Sequence, residues 1–161
     1  MMKDINIAVY TNFFLGKQCT FVYREISYFK HHINIDVFTQ IYSDKYFTLP
    51  QIKELKVSST KPFILLNKII KRIKGQPYFS LNINMAWNIK NNIKYDLIHI
   101  HFGPSALKFL ESVHFKKPIV ISIHGQDATK SFNNLNYNKS WIKLLNKIHD
   151  QPYLLIFPSF F

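Results

Sequence analysis

Residues Tyr95–Pro104 read YDLIHIHFGP. An apolar run enters from Asp96, carries two histidines one residue apart, and breaks on Gly103-Pro104. The run reads as a buried strand. Alternation along it places His99 and His101 on one face, with Ile98 and Ile100 on the other. The two imidazoles then read as a metal site, as a catalytic pocket, or as polar residues at the end of a buried strand.

Outward from this strand the pattern alternates. Ser105–His114 sets Leu107, Leu110 and Val113 on one helical face, and IVISIH (Ile119–His124) is a further strand. Tyr137–Ile148 places Trp141, Leu144, Leu145 and Ile148 at helical spacing before a last strand at Tyr153–Phe157. On the N-terminal side, Ile5–Tyr10 is a β-branched strand. Thr20–Lys30 carries Phe21, Val22, Ile26 and Phe29 as a helical stripe with Thr20 at its N-cap, and Ile33–Thr39 is a strand. Ser43–Ser59 reads as loop. Strand, helix, strand in this rhythm predicts an α/β fold: a Rossmann-like parallel sheet with helices on both faces. A length of 161 residues suits one domain spanning residues 1–161.

Composition bounds the function. Hydrophobic residues make up 47% and aromatics 16%, which excludes a disordered chain. The formal net charge of +12 points to an anionic partner: a phospholipid surface, a nucleotide diphosphate or nucleic acid. One cysteine, Cys19, excludes an internal disulfide and a cysteine zinc cage, and a reducing cytoplasmic setting fits. The first apolar run is too short for a signal peptide, and no unbroken apolar span approaches the ~20 residues needed to cross a bilayer. The chain is expected to be soluble or to sit on a membrane surface.

KPFILLNKIIKRIKG (Lys61–Gly75) has basic residues and no acid. On a helix, Phe63, Leu65, Leu66, Ile69, Ile70 and Ile73 share one face, with Lys68, Lys71 and Arg72 opposite and Lys74 at the edge. Two readings stand: an interfacial helix whose Lys68, Lys71, Arg72 and Lys74 meet anionic headgroups, or a helix covering the sheet with a solvated basic face.

Ligands of an open parallel sheet bind beyond the carboxyl ends of its strands. Two strands here end in His101-Phe102-Gly103 and His124-Gly125-Gln126-Asp127. His99, His101 and His124 with Asp127 could supply a zinc or iron site. Without metal, His101 and His124 would contact a polar substrate as acid, base or hydrogen-bond donors. His99, deeper in its strand, also reads as a hydrogen-bonded core residue. Gly103 and Gly125 would allow close backbone approach to a ligand. Phosphate-binding Gly-rich motifs and a G-x-S-x-G elbow are absent, as are RNA-binding signatures. A nucleic-acid role is therefore unsupported. Cys19 lacks an adjacent base and reads as inert rather than as a nucleophile.

YDLIHIHFGPSALKFLESVHFKKPIVISIHGQDATK resembles the N-terminal domain of GT-B glycosyltransferases of family 4, which build bacterial capsule, O-antigen and exopolysaccharide. The matching residues are Asp96, His99, His101, Phe102 and Gly103, then Lys117-Pro118-Ile119-Val120, then His124, Gly125 and Asp127. QCTFVYREISYF is similar to a motif after the first strand of one branch, through Thr20, Phe21, Glu25 and Ile26; Gln18-Cys19 replaces that branch's Ser-Glu. LLIFPS resembles the strand closing the family's N-terminal sheet.

The resemblance implies a retaining sugar transferase of two facing Rossmann-like domains, with this chain as the acceptor-side half. His124 and Asp127 would be catalytic, orienting substrate and stabilising developing charge. Gly16, Thr20, His101, Phe102, Gly103 and Gly125 would contact substrate. No cofactor or metal is implied; the partners are a nucleotide-sugar and a saccharide acceptor, often lipid-linked, at the inner face of the cytoplasmic membrane. Members are roughly twice this length and bind the nucleotide through E-x(7)-E, which is absent here. The expectation is therefore a truncated frame or one half of a split enzyme, inactive alone. A metal-dependent hydrolase and a non-catalytic Rossmann-like binding module are the alternatives.

Overall fold

The computed structural model describes residues 5–15, 20–43, 52–54, 69, 94–112, 116–125 and 134–157. Six strands form one sheet: β1 (Asn6–Leu15), β2 (Asn34–Ser43), β3 (Ile52–Glu54), β4 (Leu97–His101), β5 (Ile119–Ser122) and β6 (Tyr153–Ile156). Their order is β3-β2-β1-β4-β5-β6, and every pair is parallel. Strand order reverses between β1 and β4, the place where an α/β sheet opens a crevice beyond its carboxyl ends. The expected α/β architecture is the observed one.

Helices cover both faces. On one face α1 (Thr20–Phe29) lays Val22 and Ile26 against Val9, Phe14, Ile35 and Val37. On the other, α2 (Gly103–Ser112) and α3 (Leu135–Ile148) bring Leu107, Phe109, Leu110, Trp141 and Leu144 onto Tyr10, Ile98, Ile100, Ile119 and Ile121. The alternation in β4 decides this division. Ile98 and Ile100 are buried with α2 and α3, and the histidines are left to the α1 side.

The start of β4 is locked to β1 by two hydrogen bonds. The Asn6 amide donates to Asp96 Oδ2 at 3.1 Å, and the Asp96 amide donates to the Asn6 carbonyl at 2.9 Å. At the far end of β4, Phe102 has φ 71°, a left-handed conformation unfavourable for a bulky residue. It turns the chain directly into α2, whose second residue, Pro104, needs no amide partner in the first helical turn. The amide of Phe102 donates to the Ser122 carbonyl at 2.8 Å, and its carbonyl accepts from the Ala106 amide at 3.0 Å, so both neighbours hold the strained residue.

Several boundaries differ from those expected; β5, for example, ends at Ser122, so His124 follows the strand rather than closing it. β1 runs on from Tyr10 to Leu15 because pairing with β2 continues to Ser43, and the polar Thr11 and Asn12 are buried rather than ending the strand. The Asn12 amide donates to Ser105 Oγ at 3.2 Å, which compensates its burial. The stretch 43–59 is not wholly loop, since Ile52–Glu54 pairs with Val37–Thr39. Three residues have no resolvable period, so only pairing to an existing edge reveals them. Finally, α2 starts at Gly103 and α3 at Leu135, each two residues before the expected start; Asn134 caps α3 by accepting from the amides of Asn136 and Tyr137.

Gly103 is small for a packing reason. A Cβ there would collide with Tyr137 Oη and lie 3.0 Å from the Trp141 ring, so α3 occupies the space that a side chain would need. Gly103→Ala is expected to destabilise the chain by ~1–3 kcal/mol, the usual cost of overpacking. Urea unfolding checks this, and adding Tyr137→Phe should recover part of the loss by removing the clashing oxygen.

Candidate functional site

Three elements converge beyond the switch point. β4 contributes His99 and His101, β5 contributes Ser122 followed by His124, and α1 contributes Phe21 and Glu25. Because α1 follows β1 and crosses the sheet on the histidine side, Glu25 reaches the imidazoles: Oε1 is 3.0 Å from His99 Nδ1 and 3.9 Å from His101 Nε2. His99 Nε2 pairs with Ser122 Oγ at 2.8 Å. His101 Nδ1 pairs with His124 Nε2 at 3.2 Å, and those two rings stack with centroids 5.5 Å apart.

An aromatic rim closes over the second pair. The Phe21 ring centroid is 4.2 Å from that of His124 and 5.7 Å from that of Phe102, and Phe102 is 4.9 Å from His124. His101 is fully buried, whereas Phe21 is 39% exposed and His124 half-buried. The cluster therefore grades from a dry interior at His101 to solvent at His124.

Burial sets the charge state. It holds His101 well below the ordinary histidine range, with the neighbouring His99 and His124 acting in the same direction. Burial also lowers His124; the Glu25 carboxylate opposes that shift, and His99 adds to it. Both imidazoles are neutral at pH 7, so each offers one donor and one acceptor nitrogen.

The chain Glu25–His99–Ser122 has the connectivity of an acid–base–nucleophile relay. Ser122, however, is 5% exposed and lies within the ladder between β4 and β6, where a substrate carbonyl has no approach. The hydroxyl orients His99 instead. This hydrogen-bonded setting accords with the core reading of His99.

Of the expected site residues, His101, Phe102 and His124 are brought together, and Thr20 is the first residue of α1, one before Phe21. Gly125 is exposed, and a Cβ there would meet nothing within 4 Å. Gly103 belongs to the opposite face, against α3. Asp127, Gly16, Lys68, Lys71, Arg72 and Lys74 lie outside the described residues. The metal set expected from His99, His101, His124 and Asp127 takes a different form. His124 Nε2 is turned to His101, and the ligand-competent group among the described residues is Glu25, His99 and His101.

Glu25, Phe21 and Ser122 carried no site role in the sequence reading. Phe21 and Glu25 are four apart on one face of α1, and Ser122 alternates with His124 along the chain. That these faces oppose one another is visible only once α1 is packed on the sheet.

No protein-family model matches the sequence, and no curated protein matches it. Among solved structures, the chain is similar to a sucrose-phosphate synthase from Thermosynechococcus elongatus with a TM-score of 0.39 and 14% identity, over 96% of this chain and 89% of that one. A likeness at that level carries no weight for function, and the fold assignment rests on strand order. No helix among the described residues is long and apolar enough to cross a membrane.

The depressed histidines have a consequence for stability. The unfolded chain takes up protons near the ordinary histidine value of about 6.5 and the folded chain only at lower pH, so stability is expected to fall as pH drops through that window. Urea midpoints between about pH 7.5 and about pH 5 check this, with a shallower decline in His101→Gln. An equal decline in wild type and variant would contradict the neutral, buried His101.

Proposed function

We propose that the chain is the acceptor-side half of a GT-B sugar transferase. In this reading it helps move a sugar from a nucleotide-sugar to a saccharide acceptor in cell-surface polysaccharide synthesis. The observation that carries the reading is the position of His124: half-buried, at the carboxyl edge of the sheet, one strand from the switch point, with Nε2 committed to His101. That commitment leaves Nδ1 as the nitrogen able to serve a substrate hydroxyl, and burial keeps the ring uncharged. The resemblance through Asp96–Asp127 supplies the reaction class, including retention of anomeric configuration.

The chemistry follows from that placement. As the bond between the anomeric carbon and the diphosphate lengthens, positive charge grows on the sugar. A neutral, preoriented imidazole donates a hydrogen bond from Nδ1–H to a substrate oxygen without adding like charge. Phe21 and Phe102 keep the ring in place and exclude water from its inner edge. Asp127, Gly16, Thr20 and Gly125 join His124 around the substrates in this reading. A second Rossmann-like domain, in the same or another polypeptide, holds the nucleotide. The transfer itself calls on no metal.

The assay is incorporation of label from a panel of nucleotide-sugars into lipid-extractable saccharide, using membranes of cells that express the protein from its natural locus. His124→Ala is expected to lower incorporation about 100-fold or more, as loss of a preorganised transition-state donor does elsewhere. Full incorporation by His124→Ala would sink the assignment.

The basic segment at 61–75 is read as contact with anionic lipid on the inner face of the cytoplasmic membrane, which would bring the site to a lipid-linked acceptor. Only Ile69 of that segment is among the described residues; it is helical, lies on the apolar stripe, and is 46% exposed. Purified chain is expected to float with anionic vesicles. Replacing Lys68, Lys71 and Arg72 by Glu should weaken that binding at least about 100-fold, given ~1 kcal/mol per lost cation near the surface. Flotation unchanged by the triple substitution would count against membrane contact.

A further inference from the structure

We propose that Glu25, His99 and His101 form a binding site for one divalent transition-metal ion of the zinc class, set beneath the crevice between α1 and β4. Their donor atoms lie within 4.8 Å of one another. An ion about 2.0–2.2 Å from each nitrogen and oxygen would place tetrahedral donors about 3.3 Å apart. The observed separations from Glu25 Oε1, 3.0 Å to His99 Nδ1 and 3.9 Å to His101 Nε2, bracket that spacing.

The pointer to a ligand is His101. Its side chain is fully buried, and Nε2 has no hydrogen-bond partner while facing the Glu25 carboxylate. An unmet imidazole nitrogen in a dry interior is unfavourable, and coordination would satisfy it. The far nitrogens are already occupied in the manner of metal-bound histidines. His99 Nε2 is held by Ser122 Oγ and His101 Nδ1 by His124 Nε2, so both rings are oriented from behind. With the tautomers that donate along those two bonds, both remaining lone pairs turn towards Glu25. Burial contributes too, because a ligating imidazole has to be neutral.

Two imidazoles and one carboxylate suit zinc, cobalt or iron rather than magnesium or calcium, which take oxygen ligands. The Glu25 side chain is 35% exposed and gives the ion a way in. Three protein ligands leave a fourth position for water. Occupancy would clamp α1 to β4 and fix His101, and through it His124. The ion is thus a support beneath the crevice, and its binding does not depend on the sugar-transfer reading.

The test is metal binding by the purified chain after chelator treatment, with Zn²⁺ or Co²⁺ alone. One equivalent of Co²⁺ is expected, with the visible absorption of a low-coordinate nitrogen–oxygen site, and Zn²⁺ should displace it and raise the melting temperature. Glu25→Gln, an isosteric change on a partly exposed helix position, should weaken binding more than tenfold, and His101→Gln should do the same. A His31→Asn, His32→Asn, His149→Asn variant should bind as wild type. Equal binding by wild type and Glu25→Gln, or loss of binding in the surface-histidine variant, would overturn the site. So would the absence of any one-equivalent complex. Transfer activity is not measured, so failure of this proposal leaves the sugar-transferase reading standing, and the reverse holds too.

Discussion

A carboxylate on one helix meets imidazoles on a buried strand, and the functional end of this molecule depends on that meeting. β4 is covered on both faces, so any polar side chain on it has to find a partner within the fold. Glu25 supplies one to His99, Ser122 supplies the other, and His124 takes the inner nitrogen of His101. α1, β4 and β5 are thereby held in one arrangement by polar contacts, while apolar packing alone would tolerate small shifts between them. Hydrogen bonds to buried groups specify position as well as stabilise, because a displaced partner leaves an unmet donor or acceptor in a dry site.

Polarity at the crevice is graded, and the gradient separates roles between two histidines of the same chemistry. His101 is enclosed and orients the ring beside it. His124, half-buried beneath Phe21 and Phe102, keeps a ring nitrogen near solvent while its other nitrogen is anchored. A ligand entering the crevice would therefore meet an imidazole whose orientation and neutrality are both set from inside the protein. The strained Phe102 serves the same end. Its left-handed backbone places an aromatic ring over the crevice and starts α2 immediately, and hydrogen bonds from β5 and α2 retain it.

Much of this was legible from pattern. The apolar runs in β1, β2, β4, β5 and β6 and the spacing in α1, α2 and α3 carry their own periods, so the alternation of strand and helix, and hence the parallel sheet, could be read directly. The division of β4 into an isoleucine face and a histidine face could be read as well. Element ends were less legible. Thr11 and Asn12 look like a strand terminus, yet β2 continues beside them and Ser105 satisfies the Asn12 amide. β3 exists only because the edge of β2 offers it partners.

By itself, then, the sequence determined the class of fold, the face on which the histidines lie, and His124 as the residue at the edge of its strand. These follow from local period and from the sterics of alternating side chains, which hold wherever the strand sits. Tertiary structure alone decided which groups the histidines touch. Glu25 is 74 positions from His99 in the chain, and no local rule connects them; the crossing of α1 over β4 does. The same holds for Gly103, which reads as a ligand-approach glycine in sequence and is small because Tyr137 and Trp141 fill the space beside it. Side-chain partners are set by how elements pack, and packing is a property of the whole sheet with its helices in place.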